Sequence, residues 1–279
     1  MAWHADRMPI VDISWLQRRL VDDPAAVVCD VRSTMGGADP RADHVAGHLP
    51  GAVLVVLDEV LATPPGGILG RHPLPTPDAF ARSLGALGIA DDATVVAYDD
   101  RGGAFASRLV WMLRIIGQDA RLLDGGLAAW PGDVAHDVTH RSPVQRAAIE
   151  WPAEAIANAD AVAAHIHSGG TVIDSREPAR YAGEVEPIDP VAGHIPGAVN
   201  VPFAGNLDHH GRFLPAAAIA RRFAAAAGDD AAIVYCGSGV TACHNAVAFE
   251  YAGLPRPRVY VGSWSGWSAD PERPVATAT

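Results

Sequence analysis

Two motifs of this chain recur in the same order, and that internal repeat limits the possible folds more than any other feature. Val27-Val28-Cys29-Asp30-Val31-Arg32 returns as Thr171-Val172-Ile173-Asp174-Ser175-Arg176, and His48-Leu49-Pro50-Gly51-Ala52-Val53 returns as His194-Ile195-Pro196-Gly197-Ala198-Val199, 144 and 146 residues later. Further on, Val95-Val96-Ala97-Tyr98-Asp99 stands against Ala232-Ile233-Val234-Tyr235-Cys236, 137 residues on, and Leu123-Asp124-Gly125-Gly126 with Trp130 against Val261-Gly262-Ser263-Trp264 with Trp267, Trp130 and Trp267 again 137 apart. Each half must therefore bury a core of its own. In both halves short apolar, partly β-branched runs alternate with helix-like segments, the pattern of a parallel sheet covered by helices on both faces. The strands are expected at 27–31, 53–57, 94–98 and 120–123, then at 171–174, 198–201, 232–235 and 257–261. Helices are expected near 77–87, 104–116, 154–167, 215–227 and 241–252. The stretch from Pro131 to Pro152 is polar and matches neither copy, so the expected organisation is an α/β unit over 1–135, a linker over 136–152 and a second α/β unit over 153–279.

The copies differ where chemistry is carried. After the strand ending at Tyr235 comes Cys236-Gly237-Ser238-Gly239-Val240-Thr241, followed by a helix-like segment. A residue at the carboxyl end of a parallel strand sits where open α/β sheets hold ligands. Two glycines in the next three positions let the backbone turn its N–H groups inward, and the helix adds the positive end of its dipole. Such a nest suits an anion, and a cysteine at its mouth is expected to work as the thiolate, the form that attacks. The first copy has Asp99 at this place, followed by Asp100-Arg101-Gly102-Gly103, and an aspartate cannot do thiol chemistry. Only the second copy is expected to be catalytic.

Charge and cysteine count narrow the partners. A formal net charge of -11 disfavours nucleic acid and anionic membrane as bulk partners. Three cysteines without metal-type spacing suggest a reducing compartment rather than a disulfide framework. The stretch Met1-Ala2-Trp3-His4-Ala5-Asp6-Arg7 lacks a basic-then-apolar signal, and the expected setting is the cytoplasm. The scattered histidines give no zinc-binding spacing, and no cofactor is called for.

The paired Asp-x-Arg and His-[Leu/Ile]-Pro-Gly-Ala motifs, the copy without cysteine and the Cys-Gly-Ser-Gly-Val-Thr loop together resemble the two-domain rhodanese-type sulfurtransferases, over nearly the whole chain. The resemblance implies two tandem rhodanese-like domains, each a five-stranded parallel sheet flanked by helices, with catalysis in the second. It also implies a ping-pong reaction in which Cys236 takes a sulfane sulfur as a persulfide and passes it to cyanide or a thiol. The loop is similar to that of the 3-mercaptopyruvate branch, whereas thiosulfate-preferring members carry basic residues at the positions of Gly237 and Ser238. By the same resemblance Ser238, His48 and Asp39 would form a proton relay, with Asp43 an equal carboxylate on spacing. His194 occupies the place of His48 in the second copy, so a purely structural histidine stands beside the relay as an alternative. Arg180 would bind the substrate anion, and Gly237, Gly239, Val240 and Thr241 would complete the anion nest. The branch usually carries a second arginine before His-Ile-Pro-Gly. Here that loop is Gly183-Glu184-Val185-Glu186-Pro187-Ile188-Asp189-Pro190, acidic and without Arg, which leaves Arg71 and Arg101 as candidates from the first copy.

Several readings therefore stand. The first is sulfur transfer from 3-mercaptopyruvate by a monomer that meets only small-molecule donors and acceptors; the second is thiosulfate:cyanide transfer by the same persulfide. A cysteine phosphatase would need an arginine six residues after the cysteine, where this chain has Ala242. A non-catalytic sulfur carrier or regulatory module is a remaining alternative: Asp99 shows what a copy without the chemistry looks like, and Cys236 with its intact loop does not resemble it. Arg176 and Arg32, each two residues after an aspartate in both copies, read as structural ion pairs. Cys29 and Cys243 read as packing, and Trp264 and Trp267 as core or as a wall of the site.

Overall fold

The computed structural model describes residues 8–226 and 231–278. Residues 1–7, read above for a targeting signal, lie outside them, as does the end of the helix expected to reach 227. The chain divides into two compact units, each containing a piece from the other half of the sequence. The first takes residues up to Thr63 with Leu74–Trp151 and His209–Phe213; the second takes Pro64–Pro73, Pro152–Asp208 and the chain from Leu214 onward. The expected linker is part of the first unit, where Val144 donates its N–H to Gly85 and Arg146 donates to the carbonyls of Ile89 and Ala90.

In the first unit the elements run β1 (Ile10–Val11), α1 (Ile13–Asp22), β2 (Val27–Arg32), α2 (Pro40–Ala46), β3 (Val53–Val56), α3 (Pro77–Ala86), β4 (Val95–Tyr98), α4 (Ala106–Ile115) and β5 (Ala120–Leu123). The sheet order is β1-β5-β4-β2-β3, with every pairing parallel. The second unit runs β6 (Ile156–Ala157), α5 (Ala159–His167), β7 (Val172–Asp174), α6 (Pro178–Ala182), β8 (Val199–Asn200), α7 (Ala216–Ala224), β9 (Ile233–Tyr235), α8 (Thr241–Tyr251), β10 (Arg258–Tyr260) and α9 (Ser263–Trp267). Its order, β6-β10-β9-β7-β8, repeats the first, again all parallel. Each unit is the five-stranded parallel α/β sheet that the resemblance implies, one strand more than the repeat alone marked.

The strands form where apolar runs can be buried on both faces: all four residues of β4 and all three of β9 are buried. Leu16, Val96 and Tyr98 anchor the first core; Val162, Ile195, Tyr235, Trp264 and Trp267 anchor the second. Both tryptophans are thus core residues. Each large side chain buried in this way contributes about 1.5–3 kcal/mol.

The repeat extends to hydrogen bonds that position the site. The hydroxyl of Tyr98, the last residue of β4, accepts the N–H of Leu49 at 2.8 Å. That of Tyr235, the last of β9, accepts the N–H of Ile195 at 3.2 Å. A buried phenol thus ties each His-Pro-Gly turn to the strand that leads into the chemical loop, and burial pushes both phenols above their usual range.

Two edge strands and several short helices depart from the expectation. β1 and β6 have two residues each, too few to show a period. The helix expected over 154–167 splits: a 3-10 turn over Ala153–Ala155, then β6, then α5, whose N-terminus Asn158 caps by accepting the N–H of Ala161 at 2.8 Å. The alanine-rich composition hid that cap. α1, α2, α6 and α9 also form outside the expected helices. No helix among the described residues is long and apolar enough to cross a membrane.

Candidate active site

The loop after β9 is braced from behind by the turn that opens α9. Ser263 has a φ of 52°, the left-handed value that side chains disfavour, and no other non-glycine among the described residues has a positive one. In that conformation its Oγ accepts the Cys236 N–H at 3.1 Å and donates to the Tyr260 carbonyl at 2.8 Å. The next two amides take the loop's carbonyls: Trp264 N–H donates to Cys236 O and Ser265 N–H to Gly237 O, both at 2.9 Å. With these carbonyls turned back, the loop's remaining N–H groups can face forward. Gly239 donates its N–H to Cys236 Sγ at 3.1 Å, a contact that stabilises negative charge on sulfur. Gly239 has a φ of 76°, and a Cβ there would stand 2.5 Å from the Val261 carbonyl oxygen, so only glycine fits. Val240 is buried at the entry to α8, and half-buried Thr241 opens the helix, whose dipole adds to the same field. Cys236 and Ser238 are themselves buried.

Two guanidiniums lie against this loop. A Cβ on Gly237 would stand 3.0 Å from Nη2 of Arg71 and 3.4 Å from Nη1 of Arg180, so the glycine leaves room for both cations. Arg71 arrives on the segment Pro64–Pro73, which packs with the second unit, and its N–H is anchored on Ser265 Oγ at 3.1 Å. Of the two candidates for a second arginine, Arg71 is therefore the one at the loop. Arg101 stays in the first unit, exposed beside Asp100 and over the Phe105 ring.

Arg180 is not an open clamp. Its Nη2 and Nε donate to Glu186 at 2.7 and 3.2 Å, and Nη2 also meets Asp189 at 3.4 Å. Asp189 pairs in turn with Arg71. Glu186 is fixed further by the N–H groups of Ile188 and Asp189, both at 3.1 Å, and by Arg176 Nη1 at 3.3 Å. Burial alone would push the Glu186 carboxyl up, but Arg180 and the two N–H groups outweigh it and hold the carboxyl below its usual range. For Asp189 the balance is reversed: burial pushes it up, Glu186 adds to this, and Arg71 only partly opposes. The sequence showed an acidic loop, but not that its two carboxylates would pair with the arginines. Ser263 and Ser265 were equally hidden, since a serine gives no signal until its turn is known.

Arg176 is the structural ion pair expected of it. It donates to Asp174 through Nη2 at 2.6 Å and Nε at 3.1 Å, gives a 2.7 Å bond to the Gly193 carbonyl, and stacks over Trp264. In the first copy Arg32 donates to Asp30 at 2.8 Å in the same manner.

His48 and Asp39 belong to the first unit, where they do not pair with each other. Asp39 caps α2 by accepting the N–H groups of Arg41 and Ala42 at 3.0 and 3.2 Å. The Asp-Pro pair at 39 and 40 is an N-cap followed by a first-turn proline, which explains its position there. The group orienting His48 is instead the His44 carbonyl, 2.8 Å from Nδ1, which therefore carries a proton. His48 also exchanges backbone bonds with Ala135 and stacks on His44. His194 repeats this, with Nδ1 on the Tyr181 carbonyl, backbone bonds to Ala276 and a stack on Tyr181. The loop-holding role is thus common to both copies.

The first copy's version of the nest is filled by its own side chain. Asp99 Oδ1 accepts the N–H groups of Arg101 and Gly103, both at 2.8 Å, and Oδ2 those of Phe105 and Ala106 at 2.8 and 2.9 Å. Leu127 donates to Asp99 O at 3.0 Å, the counterpart of the Trp264 bond to Cys236 O.

The remaining cysteines are interior. Cys243 donates its thiol to the Gly239 carbonyl at 3.2 Å. Cys29 is wholly buried in β2, and burial pushes its thiol up to about 12. Cys29→Ser is expected to cost about 1–2 kcal/mol, by placing a hydroxyl in an apolar site, while leaving turnover unchanged. Urea denaturation with a parallel activity assay measures both.

Residues 12–133 and 158–270 each match the family described as Rhodanese-like domain. A probable 3-mercaptopyruvate sulfurtransferase of Pseudomonas aeruginosa is 42% identical over 267 residues, covering 92% of this chain and 94% of that protein. A putative thiosulfate sulfurtransferase of Mycobacterium tuberculosis is 37% identical over 264 residues, covering 92% of each. Among solved structures, the 3-mercaptopyruvate sulfurtransferase from Leishmania major superposes with a TM-score of 0.78 at 28% identity, over 96% of this chain and 76% of that one.

Proposed function

The chain belongs to the rhodanese family and is an enzyme of the sulfurtransferase type, and from that premise we propose that it moves sulfur from 3-mercaptopyruvate to a thiophilic acceptor through a persulfide on Cys236. The observation that carries this reading is the uncharged cysteine loop with Arg71 and Arg180 at Gly237. The loop has anion-stabilising N–H groups but no cation of its own, and the two guanidiniums stand where a donor's carboxylate can be gripped.

In the first half-reaction the Cys236 thiolate attacks the donor's sulfur. The new S–S bond forms as the C–S bond breaks, and the bonding pair leaves on carbon as the enolate of pyruvate. The proton lost from the donor's thiol is returned to that carbon, and we assign its handling to the Ser238 hydroxyl. In the second half-reaction cyanide or a thiolate attacks the outer sulfur, and the S–S bond breaks to restore the Cys236 thiolate. The Gly239 N–H and the α8 dipole serve both anions, thiolate and persulfide, so neither half-reaction requires the loop to rebuild. Arg180 and Arg71 bind the donor, and Gly237 keeps their approach clear. Donor and acceptor are small molecules, and three free cysteines suit a reducing cytoplasm.

The test is kcat/KM for cyanide-dependent transfer from 3-mercaptopyruvate and from thiosulfate, in wild type and Ser238→Ala. We expect 3-mercaptopyruvate to be the better donor and Ser238→Ala to slow it about 10²-fold, with thiosulfate little affected because it has no thiol proton to move. A wild type that prefers thiosulfate, together with an indifferent Ser238→Ala, would assign the donor as thiosulfate instead.

A further inference from the structure

The arginines at the cysteine loop are already neutralised before any substrate arrives. Arg71, Arg176 and Arg180 are matched one for one by Asp174, Glu186 and Asp189. The carboxylates of Glu186 and Asp189 are each only 4% exposed, whereas Arg180 and Arg71 keep 14% and 24% of their side chains open. The acids are the deeper partners. An incoming anion therefore finds no net positive charge and has to take the place of a carboxylate already there.

The two acids are held differently. Glu186 is locked by two arginines and by the N–H groups of Ile188 and Asp189. Asp189 is held by Arg71 on one oxygen and Arg180 on the other, and among the described residues no backbone N–H reaches its carboxylate. One acid is built in, and the other is exchangeable. Burial, which pushes the Asp189 carboxyl up, further loosens its grip as an anion.

We propose that Asp189 is a resident stand-in for the donor's carboxylate and sets donor choice by charge. A donor bearing one carboxylate exchanges with Asp189 at the Arg71 and Arg180 pair, like for like. A dianion such as thiosulfate gains less, because Glu186 stays beside the pair and repels the second charge. This rests on the sulfurtransferase reading of the same site, and it adds the residue that discriminates between donors.

The test uses inorganic sulfate as an unreactive dianion that shields Cys236 from iodoacetamide, followed by peptide mass spectrometry at low ionic strength. In Asp189→Asn the sulfate concentration giving half-protection should fall about tenfold or more, since a like charge is removed a few ångströms from the anion. Asp189→Ser, a second way to remove the carboxylate, should match it, with folding of both variants followed by thermal melting. The ratio of kcat/KM for thiosulfate to that for 3-mercaptopyruvate should rise by a similar factor, which a merely structural defect would not do. An unchanged half-protection concentration and an unchanged donor ratio in the folded variants would overturn the proposal. A shifted half-protection concentration in a protein whose wild type is charged with sulfur by neither donor would retire the sulfurtransferase reading and leave the counterion role of Asp189 standing.

Discussion

Replacing Cys236 by serine is expected to lower sulfur transfer by at least ~10⁴-fold with either donor, and to leave no persulfide adduct on the protein by intact mass spectrometry. The argument is chemical before it is structural. A hydroxyl cannot hold sulfane sulfur, so the covalent intermediate is lost rather than slowed. The fold should barely notice, because every contact that shapes the loop comes from elsewhere. The Cys236 N–H is held by Ser263, its carbonyl by Trp264, and serine can accept the Gly239 N–H as sulfur does. We expect a stability change within about 1 kcal/mol. A Cys236→Ser protein that still turns over would move the chemistry to another residue.

Asp174→Ala is expected to be the most damaging single change to the fold of the second unit, at about 3–5 kcal/mol. Asp174 and Arg176 are both buried to within 1% of full exclusion, so removal of the acid strands a guanidinium that cannot reach water. The loss would spread along Arg176. That side chain also fixes Glu186, stacks on Trp264 and bonds the Gly193 carbonyl, so its release loosens the partner that holds Arg180. Urea denaturation should show a lower midpoint, and donor KM should rise even where the protein remains folded. Removing both charges together by Asp174→Leu with Arg176→Met should be milder than the single change, because no unpaired ion is left behind.

The large features of this molecule were readable from the chain because they depend on local patterns used twice. Buried runs such as 95–98 and 233–235 can only be interior strands once they recur in register with the same motifs, and Asp99 opposite Cys236 marks where the two copies differ in chemistry. Asp30 and Arg32, repeated as Asp174 and Arg176, declared a buried pair for the same reason. What remained hidden depends on where distant segments meet. Arg71 lies far from Gly237 in sequence, and nothing local marks 64–73 as packing with the other half. Glu186 and Asp189 read only as an acidic loop without arginine until the structure pairs both carboxylates with the arginines. Asp39 carried a cap signal in the proline that follows it, a local role that can be read without the relay that the resemblance implies.

Asp99 gives the two halves different energetic lives. Its carboxylate satisfies four amides from within the chain, so the first unit owes its loop to a tethered anion that no reaction can remove. The second unit carries at the same place a sulfur that accepts one loop N–H, that of Gly239. Among the described residues, one copy of the loop is thus tied to its own side chain at four amides and the other at one, so amide hydrogen exchange should be slower in the loop after β4 than in the loop after β9.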